Sequence, residues 1–202
     1  MLAPVVIVFA KAPIAGHVKT RLGLPPQQAL ALHERFVEAT LATCAELALC
    51  TELHTDQPTD AWPAFTGRRS LQSDGDLGQR MRTALESHPL ESHSGGVMIV
   101  GSDAPTLPPD HLRRLLSAAS DVALGPAEDG GYYAIFARKT HPAMFAGVEW
   151  SSGRELRQTV TACEACGLTV ELGEPWFDID TLEDLRRLPA EFLDRAGVKL
   201  HL

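Results

Sequence analysis

The chain of 202 residues is 45% hydrophobic and 22% charged, a composition typical of globular proteins, and its length fits a single α/β domain over residues 1–202. The formal charge of −8 argues against nonspecific binding to nucleic acid or to acidic lipid. The apolar run at residues 5–10 is too short to cross a bilayer, and four cysteines are too few for a disulfide scaffold. We therefore expect a cytoplasmic protein with neither nucleic acid nor a membrane as a partner.

Apolar segments alternate with helical patterns along the chain, which predicts a mainly parallel sheet covered by helices on both faces. Strands are predicted at residues 5–10, 70–72, 97–101, 122–125, 131–137, 168–172 and 176–179. Helices are predicted at residues 26–50, 77–87, 109–119, 153–166 and 182–188. Residues 86–96 contain Pro, Gly and Ser without periodicity, and they predict an exposed loop in which His88 and His93 are solvated.

A basic loop follows the first predicted strand, and the first 33 residues contain neither Asp nor Glu. Its cations are Lys11, Lys19 and Arg21, which can neutralise phosphate charge, and Gly16 lets the backbone turn close to a ligand. The loop is not a Walker A motif, because two residues separate Gly16 from Lys19. We interpret it as a site for the phosphates of a nucleotide, the alternative being a chance run of solvated cations.

A carboxylate follows the apolar strand predicted at residues 97–101, in the segment VMIVGSDAPTL. Ligands of open α/β sheets bind beyond the carboxyl ends of the strands, so Asp103 is placed where it can hold Mg²⁺ against phosphate oxygens. The alternative is that Asp103 only caps the turn before Pro105.

Two further acids lie in the segment WFDIDTLEDL, residues 176–185. Alternation along the strand predicted at 176–179 points Asp178 and Asp180 to one side and Ile179 to the other. They could instead be residues favoured at a helix start by its dipole. Because two strand ends offer carboxylates and a third offers a basic loop, we predict a site for a metal ion and a diphosphate.

Two glycine-containing segments, GDLGQRM at 75–81 and EDGGYY at 128–133, complete the set of candidates. Gly130 permits close backbone approach to a ligand, and Asp129 could orient a substrate hydroxyl or act as a base. Arg80 lies near the start of a predicted helix that could face the nucleotide. The alternatives are a glycine-rich hairpin and a surface helix.

Taken in chain order, these motifs resemble the DUF2064 family of bacterial and archaeal proteins. The segments that carry the resemblance are FAKAPIAGHVKTRL, GDLGQRM, GSDAPTL, PAEDGGYY, FAGVEWSS and WFDIDTLEDL. The resemblance implies the GT-A fold of the nucleotide-diphospho-sugar transferase superfamily, a Rossmann-like three-layer α/β/α sandwich. It also implies that the chain binds a nucleotide and a divalent cation, Mg²⁺ or Mn²⁺.

By similarity to that superfamily, Asp103 is the acid after the central strand and Asp180 the metal-binding residue before the last helix. The basic loop matches the one that embraces the triphosphate in related nucleotidyltransferases. The sequence departs from the wider superfamily pattern at two places, one bearing on nucleotidyl transfer and the other on glycosyl transfer. Most glycines of the usual nucleotidyltransferase loop are replaced, and the Asp-x-Asp of many GT-A glycosyltransferases reads Gly101-Ser102-Asp103.

The favoured function is a metal-dependent glycosyltransferase that uses a nucleotide-diphosphate sugar. In it, Asp103 and Asp180 hold the metal, Lys19 stabilises the departing diphosphate, and Asp129 serves as the base. The alternative is nucleotidyl transfer from a nucleoside triphosphate to a phosphorylated substrate with release of pyrophosphate, and a third hypothesis is a non-catalytic nucleotide-binding module. The expected partners are a nucleotide or nucleotide sugar and a small-molecule acceptor, with a homodimer left open.

Overall fold

The computed structural model describes residues 4–88 and 95–199 and contains one seven-stranded sheet. Its strands are β1 (Val5–Ala10), β2 (Cys50–Thr55), β3 (Arg68–Leu71), β4 (Val97–Gly101), β5 (Val122–Pro126), β6 (Tyr132–Ala137) and β7 (Val170–Leu172). They lie in the order β3-β2-β1-β4-β6-β5-β7. Only β6 is antiparallel to its neighbours, β4 and β5, which confirms the mainly parallel sheet.

Helices cover both faces of the sheet, as predicted for a three-layer α/β/α fold. They are α1 (Pro26–Glu46), α2 (Leu77–Glu86), α3 (Pro109–Ser117), α4 (Glu155–Ala165) and α5 (Ala190–Arg195). One core cluster packs β-strand side chains against α1 and α3, and a second packs the other face against α2 and α4. A third cluster joins α1 to α5 and contains Phe36 and Ile179.

The helix boundaries follow from local chemistry. Helix α1 begins with Pro26 in its first turn, and it ends at Glu46 because Ala48 adopts a left-handed φ of 53°. Helix α2 begins with a capping box, in which Asp76 Oδ1 accepts from the Gln79 N–H at 2.8 Å and Gln79 Oε1 accepts from the Asp76 N–H at 2.9 Å.

Strand β2 is not predicted by the sequence, because Cys50 ends the helix predicted at 26–50 and the next element is predicted at residues 70–72. Its segment CTELHT has polar residues on both sides of Leu53, yet Glu52, Leu53 and His54 are all buried. Burial of Glu52 is tolerated because His54 and His88 supply hydrogen-bonding partners. The interpretation of His88 as a solvated loop residue is therefore wrong, and His93 and most of the predicted loop lie outside the described residues.

The structure corrects several elements of the second half of the chain. Residues 176–179 form only a single bridge, Ala127 to Trp176, and the helix predicted at 182–188 is a 3-10 turn at Asp184–Arg187. Helix α4 starts at Glu155, two residues later than predicted, and Arg154 precedes it without a side-chain capping bond. Helix α5 was missed.

Two predictions about the whole chain can be compared with the structure. None of the helices within residues 4–88 and 95–199 has the length and apolar character needed to cross a membrane. All four cysteines are free thiols. Burial raises the pKa of Cys44 and that of Cys163 to about 11, which suits core packing rather than redox chemistry.

Candidate functional site

A cleft of about 650 Å³ lies beyond the carboxyl ends of β1, β3 and β4. This is the edge at which open α/β sheets bind ligands. Eight of the ten residues predicted for a site line the cleft: Lys11, Lys19, Arg21, Arg80, Asp103, Asp129, Asp178 and Asp180. Gly16 and Gly130 do not line it.

The basic loop leaves β1 and turns sharply before it reaches α1. Gly16 has a φ of 80° with open space where a side chain would lie, so its role is the turn itself. Lys19 has a φ of 49°, an uncommon conformation for a residue with a side chain. The 3-10 turn Thr20–Leu22 follows and is sealed by the buried Leu22.

Three side chains from other elements anchor the start of this loop. Asp56 Oδ1 accepts from the Ala12 N–H at 2.6 Å, and Gln72 Nε2 donates to Ala10 O at 3.1 Å. His33 Nε2 lies 2.8 Å from Lys11 O, and because a carbonyl oxygen only accepts, this nitrogen carries the proton. Burial lowers the pKa of His33, so the ring is neutral at pH 7.

Lys19 does not extend into the cleft as a free cation. Its side chain is only 6% exposed, and Nζ lies 2.8 Å from Asp103 Oδ1 and 3.7 Å from Asp180 Oδ1. Nζ also donates to Ile179 O at 2.6 Å and lies 4.9 Å from the centre of the Phe36 ring. Lys19 therefore joins the loop to β4 and to residues 178–180.

This ion pair sets the charge state of Asp103. Desolvation opposes the ionisation of this half-exposed carboxyl group, but the Lys19 ammonium outweighs that effect and lowers the pKa of Asp103. The exposed cations of the loop are Lys11 and Arg21. The side chain of Arg21 is 73% exposed, and its Nη1 lies 3.6 Å from Asp180 Oδ2. These two are available to an anionic ligand.

A carboxylate triad, Asp129, Asp178 and Asp180, lies in the same cleft. One oxygen from each residue lies within 4.8 Å of the others, a spacing that could hold a metal ion. Burial, followed by repulsion from Asp129 and Asp180, raises the pKa of Asp178 to about 6. The sequence predicted Asp103, Asp178 and Asp180 as metal ligands, whereas the structure groups Asp129 with the latter two and pairs Asp103 with Lys19.

Residues on the other side of the cleft come from the segments around α2 and α4. Arg80 is half-buried, and its Nε donates to Gly75 O at 2.9 Å. Leu77 and Trp150 offer apolar surface. Gly130 packs against the backbone of Gly153, and a Cβ on Gly130 would collide with Gly153 O. Its close approach is therefore to another segment of the chain and not to a ligand in the cleft.

Sequence reasoning missed the anchoring residues for different reasons. Gln72 ends a predicted strand, so its position at a carboxyl end was a usable signal. Asp56 follows the unpredicted β2, and His33 lies within a helical pattern that carries no sign of a site. None of their partners is near in sequence.

The model of the DUF2064 family, described as an uncharacterized protein conserved in bacteria, matches residues 31–152. The chain is 31% identical over 133 residues to 2-phospho-L-lactate guanylyltransferase of Halobacterium salinarum, a match covering 64% of this chain and 55% of that protein. It thus spans little more than half the length of this relative.

Solved structures show the same architecture. A candidate nucleotide-diphospho-sugar transferase from Desulfovibrio desulfuricans superposes with a TM-score of 0.81 at 30% identity, covering 93% of this chain and 87% of the other. A nucleotidyl transferase from Methanothermobacter thermautotroptrophicus has a TM-score of 0.59 at 16% identity, covering 95% and 98%. The latter shows the fold alone. The predicted fold is confirmed.

Proposed function

The chain belongs to the DUF2064 family, and from its cleft we propose that it is a metal-dependent nucleotidyltransferase that moves a nucleoside monophosphate from a nucleoside triphosphate to a phosphorylated acceptor. The observation that carries the proposal is the convergence of two exposed loop cations and a carboxylate triad in one cleft. Similarity to a 2-phospho-L-lactate guanylyltransferase supports the same reaction class.

The pairing of Asp103 favours nucleotidyl transfer over the glycosyl transfer that the sequence first favoured. Many GT-A glycosyltransferases hold their metal through an Asp-x-Asp motif, whose place here reads Gly101-Ser102-Asp103. Ser102 is buried, and Asp103 is bound to the ammonium of Lys19 at 2.8 Å. The charge of Asp103 is thus compensated at close range by a cation of this chain, whereas the charge of Asp178 is opposed by two neighbouring carboxylates.

The residues divide the work of binding a triphosphate. Lys11 and Arg21 offer exposed positive charge, and the guanidinium of Arg21 suits two phosphate oxygens at once. Lys19 has a positioning role. Its ion pairs with Asp103 and Asp180 hold the loop against the acidic side of the cleft. His33 and Asp56 hold the loop backbone.

The triad fits a divalent cation. Its three carboxylates supply the hard oxygen ligands that Mg²⁺ and Mn²⁺ take. Burial and repulsion from Asp129 and Asp180 raise the pKa of Asp178 to about 6, and a bound cation would offset both effects. We assign Asp129, Asp178 and Asp180 as the residues that would hold it. When bound, the cation would neutralise charge on the phosphates.

The proposed reaction is an in-line displacement. A phosphate oxygen of the acceptor forms a bond to the α-phosphorus, the bond from that phosphorus to the bridging oxygen breaks, and pyrophosphate leaves with the electron pair. Because an acceptor phosphate is already ionised near pH 7, no general base is needed. In this reaction Asp129 is not needed as the base that the sequence suggested, and we assign it as a ligand of the metal instead.

The products distinguish the candidate reactions. The protein is incubated with each of the four nucleoside triphosphates, Mg²⁺ or Mn²⁺, and a panel of phosphorylated hydroxy acids that includes 2-phospho-L-lactate. We expect pyrophosphate release in step with acceptor consumption. Release of a nucleoside diphosphate from sugar nucleotides, with no pyrophosphate from any triphosphate, would overturn the proposal.

Glycosyl transfer stays the second candidate because of one observation. The candidate nucleotide-diphospho-sugar transferase from Desulfovibrio desulfuricans is 30% identical over nearly the whole chain. In that reaction the acceptor is a hydroxyl, which needs a base, and Asp129 is placed in the cleft to act as one. Sugar nucleotides therefore belong in the same assay.

A further inference from the structure

The carboxylate triad is assembled from two segments of the chain. Asp129 lies in the loop between β5 and β6, whereas the other two carboxylates lie in the segment that follows β7. The backbones of these segments meet at Glu128, whose N–H donates to Trp176 O at 3.0 Å. In the part of the chain that the structure describes, no backbone hydrogen bond joins residues 129–131 to residues 177–181. Contacts between side chains are therefore left to set the separation of the two halves of the triad.

An ion pair bridges the two segments beside the triad. Arg187 ends the 3-10 turn Asp184–Arg187, and its guanidinium binds both carboxylate oxygens of Glu128. Nη1 lies 2.6 Å from Oε2 and Nη2 lies 3.0 Å from Oε1, a two-point contact between residues 59 apart in sequence. We refer to it as the Glu128–Arg187 bridge. Neither residue lines the cleft, so the bridge supports the site from outside.

The Arg187 end of the bridge is anchored to the segment that carries two of the triad carboxylates. The guanidinium carbon lies 3.6 Å from the centre of the Phe177 ring, and Phe177 packs against the third core cluster. At the start of the same 3-10 turn, Asp184 Oδ2 accepts from the Asp180 N–H at 3.2 Å. The turn and this segment therefore form one unit, which the bridge ties to the loop of Asp129.

The bridge opposes a repulsion that would otherwise separate the two segments. Burial, followed by repulsion from Asp129 and Asp180, raises the pKa of Asp178 to about 6. The side chains of Glu128 and Arg187 are 54% and 40% exposed, and exposed ion pairs contribute little to the stability of a fold, so loss of the bridge should leave the protein folded. Its expected effect is local, because the two-point geometry sets the distance between segments that repel each other.

We propose that the Glu128–Arg187 bridge positions the triad for the metal, holding Asp129 within coordination reach of Asp178 and Asp180. The inference rests on the proposed function, because it takes the triad as the site of the divalent cation. Glu128 and Arg187 are positioning residues, since they act through the backbone of the adjacent segments and supply no ligand atom. Partners of this kind orient metal ligands, and their loss weakens metal binding.

Charge and geometry predict different effects when the bridge is removed. If charge alone matters, removing the carboxylate of Glu128 weakens the binding of a cation, and removing the guanidinium of Arg187 strengthens it. The guanidinium is close enough for such an effect, because its hydrogen bond to Glu128, and then the charges of Glu128, Asp184 and Asp178, raise its pKa. If the bridge positions the triad, both changes weaken binding.

Binding of Mn²⁺, followed by electron paramagnetic resonance, tests the inference. The double variant Glu128→Gln with Arg187→Gln leaves the net charge unchanged, and we expect it to bind Mn²⁺ at least about threefold more weakly than the natural protein. Arg187→Gln alone is expected to weaken binding as well. The matched control is the double variant Glu183→Gln with Arg186→Gln, which removes an ion pair local to the same 3-10 turn and should leave binding within about twofold.

Unchanged Mn²⁺ binding in the bridge double variant, or tighter binding in Arg187→Gln, would overturn the inference. Equal weakening in the control double variant would also overturn it, because the turn and not the bridge would then be responsible. A failure of the proposed function has a different signature. In that case Asp178→Asn would leave Mn²⁺ binding unchanged, or the natural protein would not bind Mn²⁺ at all.

Discussion

Two clusters of charged side chains are built into this fold, and they differ in what they leave unpaired. In the Glu52 cluster, formed by Glu52, His54 and His88, all three side chains are less than 10% exposed and each carboxylate oxygen has a histidine partner. In the cleft, one buried ammonium faces several carboxylates that stay partly exposed. Uncompensated charge that a ligand can reach, rather than buried charge, distinguishes the candidate site.

The largest expected effect comes from Asp180, which belongs both to the triad and to the ion pair with Lys19. Asp180→Asn removes one metal ligand and loosens the loop, so nucleotidyl transfer should fall about 10³-fold in kcat/KM. Steady-state pyrophosphate release measures this. Asp110→Asn, on the exposed side of α3, is the matched control, and a loss below tenfold in Asp180→Asn would contradict the shared role.

The Glu52 cluster should respond in the opposite way. Glu52→Gln leaves a buried group with poorly matched partners, so the free energy of unfolding should drop by about 2–4 kcal/mol. Activity of the folded protein should change less than about threefold, because the carboxylate does not line the cleft. Urea denaturation measures the stability, and an activity assay about 20 °C below the midpoint of thermal unfolding measures the catalytic effect of the folded protein. A large loss of activity without loss of stability would contradict the purely structural role of the Glu52 cluster.

How far the sequence predicts this contrast depends on the separation of the partners. The cleft was predicted in outline, since Lys11, Lys19, Arg21 and the aspartates each follow an apolar run and strand ends meet at one edge of a sheet. The sequence does not predict which side chains pair within the cleft, because Lys19 lies 160 residues from Ile179 and Asp129 lies far along the chain from Asp178. Only the tertiary fold decides which carboxylate pairs with the ammonium.

The Glu52 cluster shows the opposite limit of sequence reasoning. A glutamate and a histidine in CTELHT obscured a buried strand, because polar residues at alternate positions normally indicate an exposed face. His88 supplies the missing hydrogen bond from 36 residues away. The pattern of residues 176–179 predicts a strand. Although only a bridge forms, Ile179 is buried while Asp178 and Asp180 face the cleft.

A smaller effect is expected for Arg21, the exposed cation of the loop. Arg21→Gln removes one charge from the phosphate side, so KM for the triphosphate should rise about tenfold with kcat changed less than twofold. The rise should shrink at high salt, because exposed charges are screened. Arg113→Gln on α3 is the control. A kcat loss larger than the KM change would place Arg21 at the reacting atoms instead.

The smallest effect is a pH dependence of stability from the Glu52 cluster. Burial lowers the pKa of His54 below its ordinary 6.5, and bonds from His54 and His88 lower the pKa of Glu52 despite burial. Each group binds protons more readily when unfolded, so stability is complete above about pH 6.5 and falls as the pH drops. Urea titrations from pH 7.5 to 4.5 should show a shallower fall in His54→Gln than in the natural chain. Equal slopes would exclude His54 as a source and leave Glu52, whose pKa is also lowered.

Binding of Mn²⁺, followed by electron paramagnetic resonance, tests the central claim that the triad rather than Asp103 holds the metal. The account predicts that Asp178→Asn weakens Mn²⁺ binding at least about tenfold, whereas Asp103→Asn changes it less than about threefold. Strong binding in Asp178→Asn together with loss in Asp103→Asn would contradict it, because the metal would then occupy the place assigned to the Lys19 ammonium.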